Sequence, residues 1–244
     1  MKVNFDYVIV GAGSAGSVLA ARLSEDPDVT VALVEASGRD IGPGIGLPVD
    51  GPDWRETDTD LTSEPEPALR QRRIQLRNNG GLGGCSPING MVHIRGNRTV
   101  FDEWSRDGAA GWSYDEILPY FIKSEANEPH VPHGTSGPFN ISNSRSLHPV
   151  MHSLVDRFVE AGIAAGLARN DDFNGHSPFG VGRYQFTRRD GARWSAARAY
   201  LHAASMRSDL RVFSSARVRK IEFDGRHARR IALHRQLPAS QQPR

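Results

Sequence analysis

The chain has 244 residues, with 30 Lys plus Arg against 28 Asp plus Glu and a formal net charge of +2, a balance that argues against a polyanionic partner. That length and a 38% hydrophobic content allow a real core, in one large domain or two small ones. Cys85 is the single cysteine, which excludes an internal disulfide, and no apolar run approaches a membrane span. With a first strand starting almost at once and leaving no room for a signal peptide, the expected setting is the cytoplasm.

The first apolar run, Tyr7 to Val10, reads as a buried parallel strand. Gly11-Ala12-Gly13-Ser14-Ala15-Gly16 follows with the form G-x-G-x-x-G, and the next segment reads as a helix with Ala15, Leu19 and Leu23 on one face. A second run, Val29 to Val34, ends on Glu35. A glycine-rich turn between a strand and a helix can be only a turn. The order strand, glycine turn, helix, strand, acid is that of a dinucleotide-binding βαβ unit.

Each position has a mechanical task in such a unit. Gly11 allows the tight turn, Gly13 lets backbone approach a pyrophosphate, and Gly16 lets the helix lie close on the sheet. The helix-start amides around Ser14 and Ala15 lack intrahelical partners and sit at the positive end of the helix dipole, so they suit a pyrophosphate without a basic side chain. Glu35 accepts from a ribose hydroxyl and disfavours a 2′-phosphate, which points to FAD or NAD rather than NADP.

Gly80-Gly81-Leu82-Gly83-Gly84-Cys85-Ser86-Pro87-Ile88-Asn89-Gly90-Met91-Val92 is a second small-residue segment. Its glycines and proline disfavour a regular element before Asn89, so it reads as a loop along something flat or charged, with Ile88, Met91 and Val92 buried and Cys85 a small filler. Ser113 and Glu116 form a capping box for a short helix that must tolerate Pro119, through a break. Met151, Leu154, Val155, Phe158 and Val159 lie at helical spacing and predict an amphipathic helix, and Ser195 caps another running to about Ala204. Leu210 to Phe213 and Arg217 to Phe223 read as strands, with Asp224-Gly225 a hairpin turn into Ile231 to Leu233. The arginines between Arg183 and Arg235 alternate with apolar residues, as in Arg217-Val218-Arg219, and read as a solvated strand face rather than a nucleic-acid surface. Residues 236–244 are expected to be a disordered tail.

Several of these segments together resemble the glucose-methanol-choline (GMC) flavin oxidoreductases, especially choline-dehydrogenase-like and bacterial alcohol-dehydrogenase-like members. The resemblance rests on Asp6-Tyr7-Val8-Ile9-Val10 with the glycine turn, on Gly83-Gly84-Cys85-Ser86 followed by Ile88-Asn89-Gly90-Met91-Val92, and on Ile94-Arg95-Gly96-Asn97. It continues through Phe101-Asp102-Glu103-Trp104, Gly111-Trp112-Ser113-Tyr114-Asp115, Leu118-Pro119-Tyr120-Phe121, Lys123-Ser124-Glu125 and the stretch Gly191 to Leu201.

The resemblance implies an FAD enzyme that oxidises an alcohol carbon by hydride transfer to flavin N5, with a histidine taking the hydroxyl proton. Carried over by position, the first glycine motif holds the ADP half, and the loop with Gly81, Gly83, Gly84 and Ser86 runs beside the isoalloxazine. Gly81, Asn89, Gly90, Met91 and Val92 then face the flavin end, and Val218 lies near the adenine. Some members attach FAD through a histidine just ahead of the loop asparagine. That position is Ile88 here, so the expected flavin is non-covalent. Asn78-Asn79-Gly80-Gly81 replaces a charged Arg-Gly-Lys-Val pattern common in relatives.

The expected fold class is α/β, a Rossmann-like FAD-binding domain with part of an α+β substrate-binding domain. FAD binding is assigned to 1–135 and 206–235, with a helical substrate-domain portion at 136–205. No catalytic residue is assigned, because the family's histidine region has no counterpart in this sequence. His93, beside the flavin loop, reads as packed and hydrogen-bonded to backbone. His130, His133, His148 and His176 fall in loops without a metal-ligand pattern, and no metal is expected. The expected partner is a small alcohol, with apolar surface left for self-association. The alternatives are a non-catalytic FAD- or ADP-binding module and a nicotinamide-dependent dehydrogenase.

Overall fold

The structure is a computed structural model that describes residues 3–38, 61–76, 80–127, 132–143 and 149–235. The strands are β1 (Tyr7–Val10), β2 (Val31–Val34), β3 (Leu61–Thr62), β4 (Gln75–Leu76), β5 (Glu125–Ala126), β6 (Phe139–Ser142), β7 (Phe186–Arg189), β8 (Ala192–Arg193), β9 (Leu210–Phe213), β10 (Ala216–Asp224) and β11 (His227–Arg235). The helices are α1 (Ser14–Leu23), α2 (Arg98–Arg106), α3 (Tyr114–Ser124), α4 (Pro149–Ala164) and the short α5 (His202–Ala204), which continues a π-helical turn at Ala197–Leu201. Two compact units result, one from Met1–Asn89 with Ser195–Arg244 and one from Gly90–Trp194. They divide at other points than 135 and 205, because residues after Gly90 pair with β7 rather than with the first sheet.

In the first unit β1, β2 and β9 form a parallel sheet in that order, with Tyr7 opposite Val31 and Val31 opposite Leu210. All four residues of β2 are buried, as a strand flanked on both edges should be. β1 is an exception to the expected burial: Tyr7, Val8 and Val10 are about half exposed, because among the described residues only β2 pairs with it. The helix α1 packs through its smallest residues. It buries Gly16, Ser17, Ala20 and Ala21 and leaves Leu19 exposed, because a helix lying this close to backbone admits only small side chains on its inner face. Its C-terminal carbonyls are satisfied by Ser24 Oγ, which donates to Ala20 O at 2.8 Å, and by Arg207 Nη1, which donates to Ala21 O at 2.5 Å. β10 and β11 form a long antiparallel hairpin turning at Gly225 with φ 59°, and Arg217 and Arg219 are exposed on it, in keeping with a solvated face.

The second unit is α+β, with a sheet in the order β5-β6-β7-β8. The capping box forms: Ser113 N donates to Glu116 Oε2 at 3.1 Å. α3 then runs through Pro119 without the expected break. Pro119 and Asp115, whose carbonyl loses its helical donor there, are both exposed, where an unpaired carbonyl costs little. α4 forms where the apolar spacing places it, but Met151, Leu154 and Phe158 on its apolar stripe are 45%, 60% and 71% exposed, and Val159 is buried. The tail 236–244, Asn78, Asn79, His130 and His148 lie outside the described residues.

Candidate functional site

The glycine turn leaves β1 through Gly11, whose φ of 94° suits only glycine and whose N–H donates to Val34 O at 2.7 Å. A Cβ at Gly16 would stand 1.9 Å from Gly11 O, so the third glycine is what lets α1 close on the turn. Gly13 caps α1 without a side-chain partner, and a Cβ at Gly11 or Gly13 would meet nothing within 4 Å. Open space therefore stands where side chains at Gly11 and Gly13 would lie, next in sequence to the helix-start amides at Ser14 and Ala15 that an anion would bond.

Glu35 stands just beyond β2, 7% exposed. Its Oε2 accepts from Ala12 N at 2.8 Å and its Oε1 from Ser37 N at 2.9 Å, so the carboxylate also pins the glycine turn. Each oxygen keeps a second lone pair for a hydroxyl donor. Ala216 N donates to Glu35 O at 2.9 Å, which brings the start of β10, with half-buried Val218, to the same end of the sheet.

The second glycine segment is the irregular run expected of it, and it docks on the first. Gly83 N donates to Ala12 O at 2.7 Å, and a Cβ at Gly84, whose φ is 58°, would lie 2.8 Å from Gly13 Cα. Ser86 is buried: its Oγ donates to Gly83 O at 2.7 Å and accepts from Ala196 N at 2.9 Å, tying the loop to the chain ahead of the π-helical turn. Gly81 O accepts from Gly84 N at 3.0 Å, and Asn89, exposed, donates its N–H to Cys85 O at 2.9 Å. Cys85 is exposed, not a filler, since close packing here is made by the glycines and Ser86. Thus Gly11, Gly13, Ser14, Ala15, Gly16, Glu35, Gly81, Gly83, Gly84, Ser86, Asn89 and Val218 belong to the first unit, and Gly90, Met91 and Val92 to the second. Of the apolar loop residues expected inside, Met91 is buried, Ile88 half-buried and Val92 exposed, because Val92 pairs in a short bridge with Phe186 and its side chain takes the opposite side.

The second unit contains a buried polar hub that patterns in the sequence did not announce. Glu125, fully buried on β5, accepts Arg95 Nε on Oε1 at 2.8 Å and Arg95 Nη2 on Oε2 at 2.6 Å, a bidentate pair. His93 Nε2 lies 3.0 Å from Glu125 Oε1 and His133 Nδ1 2.9 Å from Oε2, while His133 Nε2 lies 3.0 Å from Asp172 Oδ2. Burial pushes the Glu125 carboxyl up, but the donors His133, His93 and Arg95 outweigh it and hold the group well below the usual carboxylate range. Burial disfavours charge on His133 as well, yet Asp172 and Glu125 on its two nitrogens raise it to about 9. A doubly protonated His133 donates to both carboxylates, so its 3.0 Å approach to Arg95 Nη2 brings two donors together around one oxygen.

A ladder of side-chain turns carries these groups into place. Asn170 Oδ1 accepts Asp172 N at 2.9 Å, Asp172 Oδ1 accepts Asn174 N at 2.9 Å, and Asn174 Oδ1 accepts Arg95 N at 2.7 Å. Arg95 and Glu125 stand in segments that carry the family resemblance, which was the available signal. Their pairing across the fold was not readable. Among the described residues no group of three or more His, Cys, Asp or Glu is placed to hold a metal ion.

The family model for GMC oxidoreductase matches residues 5–242. The chain belongs to the GMC oxidoreductase family. It is 41% identical over 236 residues to the oxygen-dependent choline dehydrogenase of Burkholderia cenocepacia (strain HI2424), covering 92% of this chain and 41% of that protein. The corresponding choline dehydrogenase of Brucella melitensis is 41% identical over 228 residues. Among solved structures, pyridoxine 4-oxidase from Mesorbium loti superposes with a TM-score of 0.85 at 34% identity over 94% of this chain and 46% of that one. An FAD-dependent oxidoreductase from Chaetomium thermophilum gives 0.86 at 31% identity over 95% and 42%. The chain therefore spans less than half the length of these GMC relatives. FAD is the cofactor of the family, which sets the nicotinamide reading aside. The open space over Gly11 and Gly13, the uncapped α1 amides and the remaining acceptor capacity of Glu35 fit that group.

Proposed function

We propose that this chain is the FAD-holding part of an oxidoreductase that oxidises an alcohol carbon, with choline or another small alcohol as substrate. The observation that carries the reading is the seating of Gly84 against Gly13, which joins the two glycine segments into one backbone surface beside uncapped helix amides. When bound, FAD supplies the acceptor for hydride from the alcohol carbon.

The chain's own residues bind and orient. The amides of Ser14 and Ala15 receive the pyrophosphate at the positive end of α1. Glu35 takes the ribose hydroxyls and, by bonding Ala12 N, keeps the turn in the shape that presents those amides. Val218 flanks the adenine, and Gly81 with residues 89–92 takes the flavin end. With isoleucine at position 88, no covalent link forms to FAD. The alcohol and a proton-accepting histidine are contributed outside these residues, so the chain alone binds flavin without oxidising alcohol. The exposed edge of β1 and the apolar stripe of α4 favour self-association of the isolated chain. Among the described residues no helix is long and apolar enough to cross a membrane, and we place the protein in the cytoplasm.

Titration of FAD against the purified chain, followed by flavin fluorescence, tests the reading. Saturable quenching, release of flavin on denaturation and no choline-driven dye reduction are expected. No quenching would overturn the cofactor assignment, and flavin retained by the denatured chain would overturn the non-covalent claim.

A further inference from the structure

We propose that His93, oriented by Glu125, is a positioning residue that holds the Gly90–Val92 backbone in the shape required at the flavin end. The inference rests on the reading that these residues face FAD. Met91 is the point under constraint: it is buried, yet its φ is 60°, a left-handed conformation that a side chain other than glycine's adopts only when its surroundings enforce it.

The enforcing contacts are on both sides of that residue. Met91 O accepts from Thr187 N at 2.8 Å and from Thr187 Oγ1 at 3.3 Å. Two residues on, His93 N donates to Gln185 O at 2.9 Å and His93 O accepts from Asn174 Nδ2 at 2.9 Å. The imidazole completes the clamp, its Nε2 facing Glu125 Oε1 at 3.0 Å. Glu125 cannot yield, because it and the Arg95 side chain that grips both its oxygens are fully buried. With Nε2–H given to this carboxylate, His93 acts on the loop through its position, by tethering the backbone that follows Met91 to β5.

His93→Leu removes the tether, while His93→Gln can place an amide N–H where Nε2 stands and should restore it. Hydrogen exchange is measured on the full chain without flavin, and FAD affinity by fluorescence titration. For His93→Leu the amides of His93 and Thr187 should exchange about tenfold faster, the scale of one hydrogen bond, with the amides of β2 unchanged. FAD should bind about tenfold more weakly, again on the scale of one hydrogen bond. His93→Gln should return both readouts toward wild type. Unchanged exchange in His93→Leu, unchanged FAD affinity in that variant, or a Gln variant as impaired as the Leu variant would each overturn the proposal. If His93→Leu fails to fold, His93→Asn, too short to place its amide at the Nε2 position, replaces it with the same expected changes. A wild-type chain that leaves FAD fluorescence unquenched is a different result, which overturns the flavin reading and with it this proposal.

Discussion

At Gly13 and Gly84 two stretches of backbone meet because Gly84 carries no side chain, whereas at Glu125 the meeting is made by long charged side chains from distant segments. The glycine site is held by main-chain hydrogen bonds such as Gly83 N to Ala12 O, and it tolerates no added atom at Gly16 or Gly84. The Glu125 hub is held by charge: Arg95, His93 and His133 surround one carboxylate, and it tolerates no removed partner. One is a device of volume and the other of electrostatics, and they should fail under different perturbations.

The largest effect is expected from breaking the hub. Glu125→Leu strands the Arg95 and His133 charges in a buried site, and denaturant unfolding should show a loss of about 3–5 kcal/mol. If it costs less than about 1 kcal/mol, the hub is not held by charge. Next comes the glycine turn. Gly16→Ala places a Cβ against Gly11 O, and the forced shift should cost about 3 kcal/mol and abolish FAD binding, whereas the same change at Gly13, where a Cβ meets open space, should leave stability within about 1 kcal/mol.

A titration separates the two regions without a clash or a cavity. His133 has a folded-state pKa raised to about 9 from 6.5, so its contribution is complete below pH 6.5 and is lost as pH rises through 9. Melting curves from pH 6 to pH 10 should show a loss of up to about 2–3 kcal/mol that His133→Gln removes, with no such dependence in the amide protection of β2. The smallest effect sharpens the comparison within the glycine site. Ser86→Ala deprives buried Ala196 N of its acceptor and should cost about 1 kcal/mol, measured by the unfolding midpoint.

What was legible follows the same division. The glycine turn, Glu35 at the end of the second strand, the irregular second loop and the Ser113–Glu116 capping box all depend on residues adjacent in sequence, so their chemistry is written in order along the chain. On α1 apolar periodicity groups Ala15, Leu19 and Leu23, whereas the close backbone approach selects Gly16, Ser17 and Ala20 for the inner face. β1 was expected to be buried from its apolar run, and an edge position leaves it half exposed. His93 reads from the sequence as hydrogen-bonded to backbone, whereas its imidazole faces the Glu125 carboxylate, a partner that no local pattern announces. Cys85, placed inside by its small size, stands exposed.

The sequence by itself determined the βαβ unit, its preference for an adenosine dinucleotide and the family to which the chain belongs, because glycine's missing side chain and the alternation of strand and helix act within a few residues. Only the tertiary structure decided that the two glycine segments interlock, that Glu35 braces the turn, and that Arg95, Glu125, His93, His133 and Asp172 share one buried network. These depend on distances between segments up to eighty residues apart, as with Arg95 and Asn174, and on burial, which turns an ordinary carboxylate into a group that must be surrounded by donors.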